Sequence, residues 1–262
     1  MKRSSGVRLC AAATVGALSF ALVTGCSGGG SKGSGAGGSK DSGAAAKALS
    51  AAELKKLIVA EGEVPGYKVA PVPATRAKPI TTGSAQCGPL ARVMSGLPPV
   101  GAAAQTDRLA TENQTKDPTD KATSMDDLAD GKFAEAIHKS LDRDVTTVTL
   151  ASYDGDGAEK ALASVRAAVP ACAGGFPAAQ AGTKMRFTKV AEEKATAAGD
   201  GLVAFTATMD TGDGDPAPVH AEVVRTGNSL SVYFTSNLGA MMDKKAYVVS
   251  PAVVKAQQAK LR

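Results

Sequence analysis

Tryptophan is absent from this 262-residue chain, which also holds only 4 Tyr, 6 Phe and 2 His. The core must therefore be built from Val, Leu, Ala and Met, and few rings are present on which a sugar could stack. His138 and His220 stand far apart in sequence, and each reads as an exposed polar residue rather than a base. Residues 49–262 contain neither G-x-S-x-G nor H-E-x-x-H, and no GK[ST] occurs to close a phosphate-binding loop. The acidic stretches DGDG (154–157) and DTGDGD (210–215) lack the EF-hand spacing and its glutamate at position twelve. They read as a helix cap and a strand-end turn. No catalytic residue, metal site or cofactor is expected.

Long apolar runs are also missing. The longest, LCAAATVGALSFALV at residues 9–23, follows MKRSSGVR, which has three cations and no acid. Fifteen residues fall short of the ~20 that cross a bilayer, but basic and apolar regions in this order make a secretory signal peptide. Val23, Thr24 and Gly25 then precede Cys26. This stretch resembles the lipobox of bacterial lipoprotein signals, and the resemblance implies cleavage between Gly25 and Cys26 with a diacylglyceryl thioether on the cysteine sulfur. Two acyl chains give stable membrane attachment where one is marginal. Residues 27–48 are almost entirely Gly, Ser, Ala and Lys, a composition that buries no core. As a flexible coil they span about 25 Å r.m.s.. The expected organisation is a signal peptide at 1–25, a lipidated tether at 26–48 and a folded domain at 49–262, held on the extracellular face of the plasma membrane.

The formal charge of +5 does not belong to the domain. Removing Lys2, Arg3 and Arg8, then Lys32, Lys40, Lys47 and Asp41, from 30 cations and 25 acids leaves 24 of each. A neutral domain without a basic cluster gives nucleic acid no footprint. With Cys10 removed and Cys26 lipidated, Cys87 and Cys172 remain. An even count in an exported chain points to a disulfide between them, and no histidine lies near to make a metal site instead.

Periodicity fills in the domain. Ser50 and Glu53 form a capping box ahead of a short helix with Leu54, Leu57 and Ile58 inward. YKVAPV predicts a strand, followed by a Pro- and Thr-rich loop to about 84. CGPLARVMSGL predicts a helix with Leu90, Val93 and Met94 inward. RLATEN is ambiguous, and Ser124 with Asp127 offers caps for a helix through Phe133, Ile137 and Leu141. VTTVTLASY is a strand. Asp156 and Glu159 open a helix whose face is Ala158, Ala161, Leu162, Val165 and Val169 and which delivers Cys172. RFTKVAEE and LVAFTATM are strands. In PVHAEVVRTGNSLSVYFTSN, a turn at Gly227 and Asn228 pairs Val223 with Val232 and Ala221 with Phe234. Ser250 and Pro251 start the last helix. The sum is an α+β fold: a mostly antiparallel twisted sheet with helices packed on it and one disulfide.

VPACAGG, RTGNSLSVYF and AVVKAQQAKLR, within 145–262, resemble the sensor-type extracellular domain of actinobacterial surface proteins. That family includes the outer domain of certain mycobacterial membrane serine/threonine kinases and stand-alone lipoproteins. The resemblance implies a cleft-bearing, non-catalytic domain that binds an envelope ligand, with a cysteine after the helix bridged to an earlier one. The family usually carries a Trp near that cysteine and often a second cysteine pair. Here Val169 and Pro170 occupy the region and no such pair exists, so no ligand contact is carried over. Three partners stay open: a small extracellular ligand, a lipid held in an apolar cavity, or an envelope protein docked on an exposed patch.

Overall fold

The computed structural model describes residues 46–74, 78–114, 132–198, 201–212 and 216–262, leaving out the Phe133 side chain. Nine antiparallel strands make one sheet: β1 (Tyr67–Ala70), β2 (Ile80–Thr81), β3 (Ala104–Glu112), β4 (Val145–Ser152), β5 (Phe176–Gln180), β6 (Thr183–Glu192), β7 (Gly201–Asp210), β8 (Pro216–Thr226) and β9 (Ser229–Ser236). Among the described residues there are six α-helices: α1 (Ala51–Leu57), α2 (Gly88–Val93), α3 (Lys132–Leu141), α4 (Gly157–Ala171), α5 (Leu238–Met242) and α6 (Pro251–Ala259). None is long and apolar enough to cross a membrane.

The strand order is β1-β3-β4-β9-β8-β7-β6-β5-β2. Strands β1 and β2, neighbours in sequence, are thus the two outer edges. Eight gaps of ~4.8 Å would put those edges about 38 Å apart in a flat sheet. The ten steps from Ala70 to Ile80 reach at most about 35 Å even when fully extended. Chain length alone therefore requires the sheet to curl, and one face to be concave.

Alternation assigns the faces. On the concave face Ala151, Val223, Leu230, Val232 and Phe205 pack under α2 and α4. On the opposite face Val148, Leu150, Val224, Tyr233 and Val69 pack with Leu54 and Ile58, and with Val253 and Val254 of α6. Each such burial contributes about 1.5–3 kcal/mol. The capping box is present, with Ser50 N donating to Glu53 Oε2 (2.7 Å) and Glu53 N to Ser50 Oγ (3.3 Å). Ser50 Oγ also donates to the same carboxylate. Ser250 caps α6 with Pro251 at its first position.

The hairpin register is as expected, with Val223 opposite Val232 and Ala221 opposite Phe234. Gly227 sits at φ 58° in the turn, and Asn228 Nδ2 donates to Lys47 O and Tyr153 O. Several expectations change. Asp156 occupies the N-cap position of α4, but its side chain makes no capping bond to the helix backbone; its carboxylate pairs with Lys160 at 2.9 Å instead. The ambiguous RLATEN stretch belongs to β3, and the Pro/Thr-rich loop contains the short β2. The proposed caps Ser124 and Asp127 lie outside the described residues.

Cys87 and Cys172 form a disulfide across 85 residues, tying the turn before α2 to the end of α4. The helix α2 is thereby fixed over the concave face. Residues just before α1 are held at one end of the sheet. Ala48 N donates to Asp154 Oδ1 (2.9 Å), Leu49 N to Ser152 Oγ (3.0 Å) and Gly155 N to Ala46 O (2.7 Å).

Candidate functional site

The curled sheet encloses a cavity of about 700 Å³ on its concave face, open at one side. Its floor is Val145 and Thr147 of β4 with Phe234 and Ser236 of β9. Alternation along antiparallel neighbours puts all four on one side. The far wall is Gln180, Ala181, Thr183 and Met185, from the turn between β5 and β6. Met94 to Leu97, the segment leaving α2, close a third side, and Val72 and Lys78 flank the mouth. Leu141, Arg143 and Leu238 complete the rim.

Local geometry fixes these walls. Gly96 has φ +69°, and a Cβ there would lie 2.5 Å from Thr147 Cγ2. Only glycine lets this segment settle on β4, where Thr149 Oγ1 donates to Gly96 O at 2.6 Å. Ser95 Oγ accepts from Ile80 N and donates to Ala91 O, both at 2.7 Å, pinning edge strand β2 to α2. Gln180 Nε2 donates to Lys78 O at 2.9 Å. At the rim, a Cβ on Gly239 would be 2.5 Å from Asp142 N and Cα, so α5 lies directly against the chain entering β4.

The charged groups at the cavity among the described residues are Lys78, Arg143 and Asp107. No ion pair or side-chain hydrogen bond engages any of the three among the described residues, whereas Lys139, Lys160, Lys245 and Lys260 all pair with acids. The cavity floor ends at Val145 and Ser236, which are paired in register. The docked residues 46–49 bond at the other end of β4 and at the β8–β9 turn. The cavity and the start of the domain therefore occupy opposite ends of the same two strands.

The histidines are elsewhere. His138 is half-buried on α3, 3.2 Å from Asp243. His220, expected to be exposed, is only 8% accessible: it sits on β8 facing away from the cavity. Its Nδ1 lies 2.8 Å from Glu193 Oε2 and its ring meets Tyr247 edge-on. A carboxylate partner and an aromatic cover make burial tolerable, which sequence spacing does not reveal. Beside it Glu222, 1% accessible, accepts from Thr196 N (2.9 Å), Thr196 Oγ1 (2.8 Å) and Ala197 N (2.7 Å). Burial raises the Tyr247 and Tyr233 phenols well above their ordinary range and pushes Tyr153 up to about 12.

Cys87 and Cys172 are joined as expected, below the wall of the cavity rather than in it. Gly25 and Cys26 lie outside the described residues. In the acidic stretches Asp154 accepts from Ala48 N, and Gly212 N donates to Asp210 Oδ1 at 3.0 Å, while residues 213–215 lie outside the described residues. No group of three or more metal-ligating side chains occurs among the described residues. The cavity itself assembles six separate stretches of sequence, with no local motif to signal it. Among the described residues its lining offers two cations, one carboxylate, hydroxyls and several apolar side chains. It has the parts for holding a ligand, and among the described residues no imidazole or thiol lines it.

No protein-family model and no curated protein matches the chain. Among solved structures, the extracellular domain of PknH from Mycobacterium tuberculosis is similar to it with a TM-score of 0.45 and 11% identity, over 82% of this chain and 95% of that one.

Proposed function

We propose that this protein is an extracellular lipoprotein, anchored through Cys26, whose domain binds a small ligand without transforming it. The concave cavity carries this reading. Its volume of about 700 Å³ falls within the range of ordinary small-molecule sites, ~300–1,000 Å³. Its lining mixes apolar side chains and hydroxyls with charge unpaired among the described residues, which disfavours a dry lipid-carrier tunnel. The start of the domain lies at the opposite end of β4 and β9 from the cavity floor, so the attachment of the chain ahead of it leaves that floor uncovered.

Two measurements test the reading. Native mass spectrometry of the protein purified from its own envelope is expected to show a bound small molecule, and a ligand-free spectrum counts against it. Cys26→Ala is expected to release the protein from membranes, and continued membrane retention overturns the anchor.

A further inference from the structure

The ligand class is written in the distribution of charge and apolar surface around the cavity. Two cations among the described residues, Arg143 ahead of β4 and Lys78 ahead of β2, line the cavity from separate segments of the chain. Both are exposed and neither has an acidic partner among the described residues, although the domain has equal numbers of cations and acids. Among the described residues the one lining carboxylate is Asp107, which stands opposite Thr149 in register, while Val145 stands opposite Thr111. That places Asp107 four residues farther along the ladder than Val145, about 13 Å away, so it does not neutralise the Arg143 end.

Between the charged groups the lining is mixed, with the hydroxyls of Thr147, Thr183 and Ser236 set among apolar side chains. Phe234, Val145 and Met185 face it, and Leu238 at the rim is 53% accessible. About half of this leucine stays uncovered in the free domain, and one turn farther along α5 Met242 is 60% accessible. Covering such surface yields about 25 cal/mol per Å², and a guanidinium is suited to hold a carboxylate or phosphate through paired hydrogen bonds.

We infer that the cavity takes an organic monoanion with an apolar body, its anionic head between Arg143 and Lys78 and its body along Phe234, Val145 and Leu238. Asp107 at the other end repels a second anionic group, which sets the ligand apart from a dianion charged at both ends. This inference rests on the cavity being a binding site.

The test uses the mature chain, residues 26–262, with Cys26→Ser to keep it soluble. Its probes are decanoate, decyltrimethylammonium and inorganic phosphate, titrated below micelle formation and followed by calorimetry and amide NMR. Decanoate is expected to bind and to shift the amides of Thr147, Phe234 and Ser236, with decyltrimethylammonium at least about tenfold weaker. Arg143→Gln with Lys78→Gln, both exposed and unpaired, is expected to weaken decanoate about tenfold or more while leaving the thermal transition unchanged. Equal binding of the two amphiphiles, unaltered in the double variant, overturns the anionic head but leaves the cavity as a binding site. Binding of phosphate as tightly as decanoate overturns the apolar body. If no probe moves the cavity amides, the monoanion assignment fails. The cavity reading then fails with it only if envelope-purified protein also carries no ligand.

Discussion

Gly96 rests against Thr147 so closely that any β-carbon at position 96 would lie 2.5 Å from the threonine methyl. Gly96→Ala is therefore expected to suffer twice, from the +69° backbone angle and from the collision. The two add to about 2–4 kcal/mol of lost stability by denaturant unfolding. Gly62→Ala separates the effects. Its φ is +80° but nothing lies within 4 Å, so the loss should be about 1 kcal/mol. Equal losses would show that contact with Thr147 is unimportant.

Breaking the Cys87–Cys172 bridge frees a loop of 85 residues. In the chain-entropy account the unfolded state gains about 4.5 kcal/mol. For a domain of this size that lowers Tm by about 10 °C or more. The Cys87→Ala, Cys172→Ala pair, compared with parent protein by calorimetry, checks this. The same variant should lose ligand affinity, because α2 and the Met94–Leu97 wall hang from that bond.

Glu222 is expected to behave as a clamp on the loop between β6 and β7. It takes three hydrogen bonds from Thr196 and Ala197 and has no cationic partner among the described residues. Glu222→Gln should cost about 1–3 kcal/mol, with faster hydrogen exchange confined first to the Thr196 and Ala197 amides. Unchanged exchange there would refute the clamp.

Asp144 supplies a pH dependence of defined sign. Burial raises its carboxyl above the usual aspartate value; the Asn237 hydrogen bond opposes this, and the Glu112 and Asp142 charges add to it. The folded state then keeps its proton to higher pH than the unfolded state, so this group's contribution falls as pH rises above 3.8. Asp144→Asn keeps an acceptor for Asn237 and removes the charge. Its Tm should exceed the parent's at pH 7, with the difference shrinking as pH falls through the raised value toward 3.8. A constant difference across that range would contradict the assignment.

Much of the fold was legible where one residue's environment is set by near neighbours. The register of β8 and β9 followed from alternation around a two-residue turn, and the buried stripe Ala158, Ala161, Leu162, Val165 and Val169 followed from helical spacing. The capping boundaries at Ser50 and Ser250 were equally local. Strand β5 escaped because FPAAQ has weak strand preference and a proline. It is tolerated near the sheet edge, where Thr82 Oγ1 bonds to Pro177 O. The two-residue β2 and the short α5 carry too few residues for any period. The site was illegible for a different reason. Phe234, Thr147, Met185 and Leu97 share a cavity only because the sheet curls, and His220 is buried only because Glu193 and Tyr247, remote in sequence, come to meet it.

The ten steps joining Ala70 to Ile80 have one more consequence. Their number limits the separation of the two outer strands as a string limits the tips of a bow, and Val72 and Lys78 line the cavity. A string limits opening and permits closing. The aperture available to any ligand thus has an upper bound set by covalent length, independent of how soft the sheet is. Lengthening this segment would relax that bound without touching a single residue of the floor.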